Sequence, residues 1–305
     1  MPKGIDLFAG AGGTTSGAKM AGVDIVWAAN HNPVAVEYHA KNHPEIIHAC
    51  QDLQQADWSL VPKHDIVFAS PCCQGHSRAA GKKQQTKKAD LSRSTAWAVV
   101  SVLEAHRTPF AVIENVPDFL NWELYKPWAS AMNVLGYSLS VNHINAADHG
   151  VPQNRNRLFI VASRSKHPLE LNLQKQERVP ARTFIDFNPD NHQWDLVSNR
   201  VLATQNRVIN GRKEFGDTFL DAAYGAERSG RSLDKPLGTV TTMNKHSLVM
   251  GEHIRPLNIR ELAAAQTFDG DYHWPKSKTA TKMMIGNAVP PVLAREITTA
   301  VLSAA

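Results

Sequence analysis

Four short stretches of this 305-residue chain hold side chains that could do chemistry. In S-P-C-C-Q-G-H-S, Ser70 to Ser77, the adjacent Cys72 and Cys73 follow the apolar run H-D-I-V-F-A, which reads as a buried strand. A cysteine closing such a strand sits at the carboxyl end, where α/β sheets place their ligands. Free cysteines are most often small buried hydrophobes. Two features point away from that here. Pro71, Gln74, Gly75 and Ser77 are turn-like and polar, and the next residues are strongly basic: Arg78, Lys82, Lys83, Lys87, Lys88 and Arg93 against one acid, Asp90. Cationic surroundings favour the thiolate, the nucleophilic form.

The second stretch is E-N-V, Glu114 to Val116, at the end of the strand F-A-V-I. A carboxylate closing an apolar strand is partly desolvated and able to hold a proton near neutrality, unless it is simply a surface-edge glutamate. The third is Q-N-R-N-R, Gln153 to Arg157, leading into L-F-I-V-A-S. Arg155 and Arg157 share strand parity, so both are expected on one side, suited to a phosphate or a polar base edge. A pair of solvated arginines is the plainer alternative. The fourth is D-L-F-A-G-A-G-G, Asp6 to Gly13, in a strand–glycine turn–helix order that lets backbone approach a ligand. It matches the dinucleotide fingerprint only at Gly10 and Gly12, since Thr15 stands in the third place.

The elements that must position these residues alternate. Strands are expected at 4–8, 23–29, 64–69, 109–114 and 158–163. Helices are expected after the glycine turn to about Ala21, then at 33–42, 95–105 and 122–135. This βαβα rhythm predicts a doubly wound α/β fold with a parallel sheet. From about Lys166 to Val240 the chain turns polar and irregular, and a separate, smaller lobe or an elaborated insertion is expected there. An amphipathic helix at 258–268 and helical order from Lys282 to the end, with G-N-A-V-P-P ahead of a terminal helix, complete the reading. The expected division is a first domain at 1–164, a second with its hinge helix at 165–274, and a terminal helix at 275–305 that returns to the first.

Composition is that of an ordinary globular protein, with 43% hydrophobic and 20% charged residues. A net charge of +5 suits a polyanionic partner. Three cysteines, two adjacent, make neither a disulfide framework nor a zinc set, and no metal is expected. The N-terminal M-P-K-G-I-D-L-F lacks a secretion-signal pattern, and a cytoplasmic location is expected. No apolar run approaches the ~20 residues that span a bilayer.

Taken in order, these stretches resemble the motifs of the DNA cytosine-C5 methyltransferase family, of prokaryotic or phage type. Two more fit: I-R-E-L-A-A-A-Q-T-F, Ile259 to Phe268, and G-N-A-V-P-P, Gly286 to Pro291. The matches run from Asp6 to Pro291, and only the region from Lys166 to Val240 is unmatched, where the family keeps its target-recognition region. The resemblance implies a fold of the S-adenosylmethionine-dependent (Rossmann-like) kind with a smaller target-recognition domain. It implies a cofactor site of Phe8, Ala9, Gly10, Gly12 and Gly13, with Asn30 and His31 after the second strand, Asp52 and Leu53 at the adenine, Cys72, and Asn287 and Ala288 near the methionine part. It makes Cys73 the nucleophile, because Gln74 and Ser77 fall in step after it, and gives catalytic roles to Glu114, Arg157 and its companion Arg155. Gln74, Ser77, Arg78, Asn115 and Val116 would contact the substrate. The chain departs from the pattern at Cys72, where proline is usual, at His76, where an aromatic is usual, and at Asn30, where a carboxylate is usual.

The implied chemistry is addition of the thiolate to C6 of a cytosine flipped out of duplex DNA, methyl transfer to C5 from S-adenosylmethionine, then elimination. The segment from Arg78 to Arg93 is the expected lid, and the base that removes the C5 proton is not identifiable. Restriction-modification or orphan methylation is the implied role, with a cognate restriction endonuclease as a candidate partner and a monomer as the expected state. Two rivals remain. An amino methyltransferase would explain Ser70-Pro71 but not E-N-V or Q-N-R-N-R, and a tRNA cytosine-C5 methyltransferase shares the family. Target sequence is not legible, and Arg182, Arg207 and Arg212 are equally candidate base readers and phosphate contacts.

Overall fold

The computed structural model describes residues 1–72, 95–224 and 227–304. The expectations for Cys73, Gln74, Ser77, Arg78 and the lid segment to Arg93 therefore lie outside the described residues. The chain forms two compact units. The first comprises Met1–Asn145, Asn156–Lys175 and Ala288–Ala305, the second Ala146–Arg155 and Gln176–Asn287. The chain thus enters the second unit twice, which no linear partition of the sequence reproduces.

Among the described residues, the first unit is built on a seven-stranded sheet in the order β3-β2-β1-β4-β5-β7-β6. Its strands are β1 (Lys3–Leu7), β2 (Asp24–Asn30), β3 (Ile47–Cys50), β4 (Ile66–Ala69), β5 (Phe110–Asn115), β6 (Ser138–Asn145) and β7 (Asn156–Ser163). β1 to β5 run parallel, while β7 is antiparallel to both of its neighbours. The sheet is therefore parallel in most, not all, of its pairings. β6 and β7 are joined by a ten-residue link at 146–155 with no crossover helix of its own, and such a direct return makes neighbours antiparallel.

Side chains alternate across the strands. One face carries Ile5, Leu7, Val67, Ile113 and Ile160 into a core with Val99, Val102 and Leu103 of α3 (Trp97–His106) and Trp128 and Met132 of α4 (Tyr125–Val134). The other face carries Phe68, Val112 and Phe159, which line one small cavity with Val289, Ala294 and Ile297. On that side α1 (Gly13–Met20) packs on α8 (Pro291–Ala304). Gly17 permits the approach: a Cβ there would lie 2.5 Å from the Ala294 Cβ. α2 (Pro33–Asn42) starts at Asn32, whose side chain accepts from the Val34 and Ala35 amides, with Pro33 preset for the first turn.

The second unit holds a four-stranded antiparallel sheet, β8-β11-β10-β9, with strands β8 (Asp195–Leu196), β9 (Thr218–Ala222), β10 (His246–Met250) and β11 (His253–Pro256). Its core joins Val197, Phe219, Val249 and Ile254 to Val208 of α5 (Leu202–Phe215). α5 lies in the stretch expected to be irregular. Only Val208 and Gly211 of its fourteen residues are buried, so it presents almost no apolar stripe to read. α6 (Ile259–Ala265) opens with a capping box between Asn258 and Glu261. Helical order from Lys282 resolves into α7 (Lys278–Asn287) and α8, divided before Pro290 and Pro291.

Candidate active site

Register places the carboxyl ends of the central strands side by side: Leu7 opposite Ala29 and Ala69, Asn30 opposite Cys50, and Ala69 opposite Ile113. The candidate residues of the first unit hang from this edge. β1 leaves the sheet through Phe8, whose φ of 61° is unusual for a residue with a side chain. The Ala9 amide donates to the Ala29 carbonyl at 3.0 Å, and Asn30 Nδ2 donates to the Ala9 carbonyl at 3.2 Å. Asn30 Oδ1 accepts from the Asn32 amide at 2.9 Å. In place of the carboxylate that the resemblance leads one to expect here stands an amide that ties the β1 loop to the β2 end. Gly12, at φ 88°, precedes α1, whose N-terminus has no side-chain cap. Nothing lies within 4 Å of a Cβ built at Gly10. Exposed His31 and Asp52 stand on the same sheet edge, with Leu53 buried behind; Asp52 Oδ1 caps the next turn by accepting from Gln54. Open space over a glycine, uncapped helix amides and a carboxylate are a donor and acceptor set that fits the methionine and adenine parts of S-adenosylmethionine. Asn287 ends α7 in the second unit, and Ala288 is buried in the first.

At the β4 and β5 ends the structure describes the chain up to Cys72. The Cys72 amide donates to Thr95 Oγ1 at 3.1 Å, so the two described residues flanking 73–94 are bonded to each other. Buried Asn115 donates from Nδ2 to the Pro71 carbonyl at 3.1 Å and accepts from Val116 N at 2.9 Å. Both Asn115 and Val116, expected at the substrate, are here engaged in fixing the turn beside Cys72. Next to them Glu114 and Arg157 form an ion pair, Nε to Oε1 at 3.0 Å, with side chains only 12% and 16% exposed. Arg157 Nη1 also donates to the Asn156 carbonyl at 2.8 Å. The pair joins β5 to β7, whose register sets Glu114 opposite Phe159. A planar guanidinium and a carboxylate, held together on a half-dry edge, offer hydrogen bonds of opposite sense to one polar ring.

Arg155 requires a correction. It precedes β7 and does not share the environment of Arg157. It is 1% exposed, and it donates to the Val240 carbonyl at 3.1 Å and the Gly286 carbonyl at 2.9 Å, all within the second unit. Gln153 is likewise internal, bonded to Ala265 O, Gln266 Oε1 and Val240 N. Q-N-R-N-R therefore combines structural Gln153 and Arg155 with one arginine at the candidate site. The three candidate readers are each paired too: Arg207 bidentate with buried Asp221, Arg212 with Glu252, and Arg182 with Asp234.

Sequence reasoning missed Thr95 and the bracing use of Asn115. It also missed the buried contacts of Asp6 with Thr15 and of Thr15 with His39. Asp6 is visible as the first residue of a motif, but Thr15 lies nine residues from it and His39 a further twenty-four, with no spacing to mark them.

The C-5 cytosine-specific DNA methylase family model matches residues 2–303. Type II methyltransferase M1.HphI of Haemophilus parahaemolyticus is 30% identical over 98% of this chain and 86% of its own length. Type II methyltransferase M.HgiDI of Herpetosiphon aurantiacus is 28% identical over 96% and 91%. Among solved structures, Spodoptera frugiperda DNMT2 superposes with a TM-score of 0.72 at 18% identity, covering 99% of this chain and all of that one, a likeness of fold. Fold and family are those of S-adenosylmethionine-dependent methyltransferases. Among the described residues no helix is long and apolar enough to cross a membrane. With a match over nearly all its length, the chain belongs to the C-5 cytosine-specific DNA methylase family, and its activity is DNA cytosine-5 methylation.

Proposed function

We propose that the protein methylates cytosine within a specific sequence of duplex DNA, with Cys73 as nucleophile and Glu114 and Arg157 holding the target base. The observation that carries this reading is the Glu114–Arg157 pair at 3.0 Å, adjoining the Asn115 that anchors Pro71 just ahead of Cys72 and Cys73. Cytosine C5 is a poor nucleophile until C6 is attacked. Addition of the Cys73 thiolate to C6 pushes an electron pair toward the N3 and O2 side of the ring. Glu114 would share a proton at N3 and Arg157 would donate at O2, so both meet charge as it develops. The incoming base exchanges one ion-pair contact for a hydrogen bond to each partner. When bound, S-adenosylmethionine supplies an electrophilic methyl group for C5. Loss of the C5 proton then returns its electron pair to the ring, and the Cys73–C6 bond breaks.

Backbone at Phe8, Ala9, Gly10, Gly12 and Gly13 would hold the methyl donor at its methionine end. Asp52 would accept from its adenine amino group, beside His31. The ring is inaccessible inside a duplex, so the cytosine must be extruded. The Type II names of the relatives support restriction-modification as the role, with a cognate endonuclease as partner. A monomer in the cytoplasm suffices for this activity.

The test offers duplex DNA and tRNA in parallel with labelled S-adenosylmethionine, followed by mass analysis of nucleosides. The expected product is 5-methyldeoxycytidine from DNA alone, abolished by Cys73→Ala, with a covalent adduct on 5-fluorocytosine DNA. An N4- or N6-methylated product, or methylation of tRNA instead, overturns the reading.

A further inference from the structure

Beneath the β1–α1 loop runs a chain of buried polar groups that the methylation chemistry does not use. Asp6, 2% exposed on β1, meets Thr15 of α1, with Oδ2 and Oγ1 2.8 Å apart. Thr15 Oγ1 lies 3.0 Å from His39 Nε2 on α2, and His39 Nδ1 lies 2.8 Å from His48 Nε2 on β3. Thr15 and His39 are 0% and 1% exposed, and only His48 approaches the surface. A second arm runs alongside. His43 reaches the Gly12 backbone and lies 3.4 Å from Ser16 Oγ, and its ring centroid is 4.8 Å from that of His39. The other charged groups facing the cluster are Lys19 and Glu45, which pair with each other.

Hydrogen-bond polarity restricts this chain to two self-consistent states. With the Asp6 carboxyl ionised, the Thr15 hydroxyl must donate to it. His39 Nε2–H then donates to Thr15, and His48 Nε2–H donates to His39 Nδ1. With a proton on Asp6 Oδ2, every bond reverses: Asp6 donates to Thr15, Thr15 to His39 Nε2, and His39 Nδ1–H to His48. With the Thr15 hydroxyl proton inside the chain, any mixture sets two donors or two lone pairs face to face in a buried site. A proton on Asp6 Oδ2, relayed through the Thr15 hydroxyl, therefore selects the tautomer of His39.

We propose that His39 is a positioning residue for the cofactor loop, acting through Thr15 on Asp6, and that the loop is held differently according to which way this hydrogen-bond chain runs. The proposal rests on the reading that this loop binds S-adenosylmethionine. Asp6 lies two residues before Phe8, and Thr15 and His43 hold the first turn of α1 and the Gly12 backbone, so both arms end on the loop. Titration is consistent with it. Burial pushes the Asp6 carboxyl up to about 7, with the Thr15 bonds opposing. Burial, and secondarily its histidine neighbours and Lys19, hold His39 well below its ordinary range. Burial likewise lowers His43 to about 4. Near neutrality the group that titrates is thus the Asp6 carboxyl, while His39 and His43 stay uncharged.

The experiment has two arms on the full-length protein. Histidine ¹⁵N–¹H correlation spectra of the unliganded protein, from about pH 5.5 to 8.5, read the His39 tautomer. The expected result is a change from Nδ1–H to Nε2–H with a midpoint near that of Asp6, retained in Thr15→Ser and lost in Thr15→Val. Calorimetry over the same range is expected to show S-adenosylmethionine affinity changing by about 5-fold or more, a typical coupling between sites, again kept by Thr15→Ser and lost in Thr15→Val. A His39 tautomer fixed across the range, or charged before Asp6 titrates, overturns the proposal. So does a Thr15→Val affinity equal to wild type at every pH. Failure of the underlying reading has its own signature: S-adenosylmethionine affinity indifferent to Gly10→Ala, whatever His39 does.

Discussion

Two glycines, seven residues apart, separate what the β1–α1 loop does for a ligand from what it does for the fold. At Gly10 an added Cβ meets nothing within 4 Å, and Gly10 is not in the left-handed region. Gly10→Ala is therefore expected to change stability by less than about 0.5 kcal/mol, as substitutions without a structural partner do. At Gly17 the added carbon lies 2.5 Å from the Ala294 Cβ and 2.7 Å from the Arg295 amide nitrogen, and crowds the Pro291 carbonyl. Carbon contacts settle at about 3.5–4 Å, so α8 must retreat by roughly 1 Å, and no rotamer change can absorb a clash with backbone. Helix propensity returns about 1 kcal/mol to Ala, against an overpacking cost of about 1–3 kcal/mol or more. Because the clash is with backbone, the upper end of that cost applies, and a net loss of up to about 2 kcal/mol is expected for Gly17→Ala, seen as a lowered midpoint in thermal unfolding. Ligand binding should sort the two the other way. If backbone at Gly10 lies against S-adenosylmethionine, a methyl group there weakens binding by about 10-fold, equivalent to about 1.4 kcal/mol. Calorimetric titration beside thermal unfolding reads both quantities. A Gly10→Ala protein that binds like wild type would refute the assignment of this loop, and one that unfolds as early as Gly17→Ala would refute the claim that the space over Gly10 is free.

Cys73→Ala should abolish methylation while DNA binding, read by gel shift, persists; Cys72→Ala should keep turnover, and the reverse pattern would exchange their roles. The two arginines of Q-N-R-N-R should part company: Arg157→Lys is expected to lower kcat by about 100-fold with little change in unfolding midpoint. Arg155→Met should instead cost about 3 kcal/mol of stability by stripping two buried carbonyls of their donor. The fold should also carry a pH signature from Asp6. Its carboxyl is raised from 3.8 to about 7, so the folded state keeps a proton that the unfolded state releases. Stability from this group is full below pH 3.8 and is lost as pH rises through 7, by about 2–3 kcal/mol between pH 5 and 8. Asp6→Asn removes that loss, so urea unfolding at the two pH values should show the variant gaining on wild type as pH rises; a constant difference would contradict it.

How much was legible in the sequence follows from where each signal lives. Buried parallel strands such as I-V-F-A at β4 and F-A-V-I-E-N at β5 read directly, because burial on both faces forces continuous apolar runs. β3 and β6 did not. I-H-A-C has no fully buried residue, and S-L-S-V-N-H-I-N at the sheet edge buries only Ile144. The antiparallel insertion of β7 is a matter of connection, invisible to periodicity. Glu114 and Arg157 were named from position in strand and motif, and they meet at 3.0 Å. Counting parity places Arg155 with Arg157, but the strand begins at Asn156 and parity does not extend beyond it. The resemblance implies a substrate contact for Asn115, yet its amide is used on Pro71. A side chain's type shows what it can bond. Only packing decides what it does bond.

That distinction bears on the departures from the family pattern. Asn30 stands where a carboxylate is usual, and with its amide it can donate to the Ala9 carbonyl, which a carboxylate cannot do. Nδ2 thus fastens the loop from the β2 side, while Thr15 on α1, His39 on α2 and His43 at the end of α2 fasten it from the other. Losing a charge toward the ligand and gaining a brace on the loop are one substitution. Asn30→Asp tests the exchange in a single protein. The new carboxylate would face the Ala9 carbonyl, oxygen against oxygen, so the loop should loosen even as a ribose partner is gained. If the brace matters more, S-adenosylmethionine affinity falls in Asn30→Asp despite the added charge. A rise would show that the loop is held well enough from the histidine side alone.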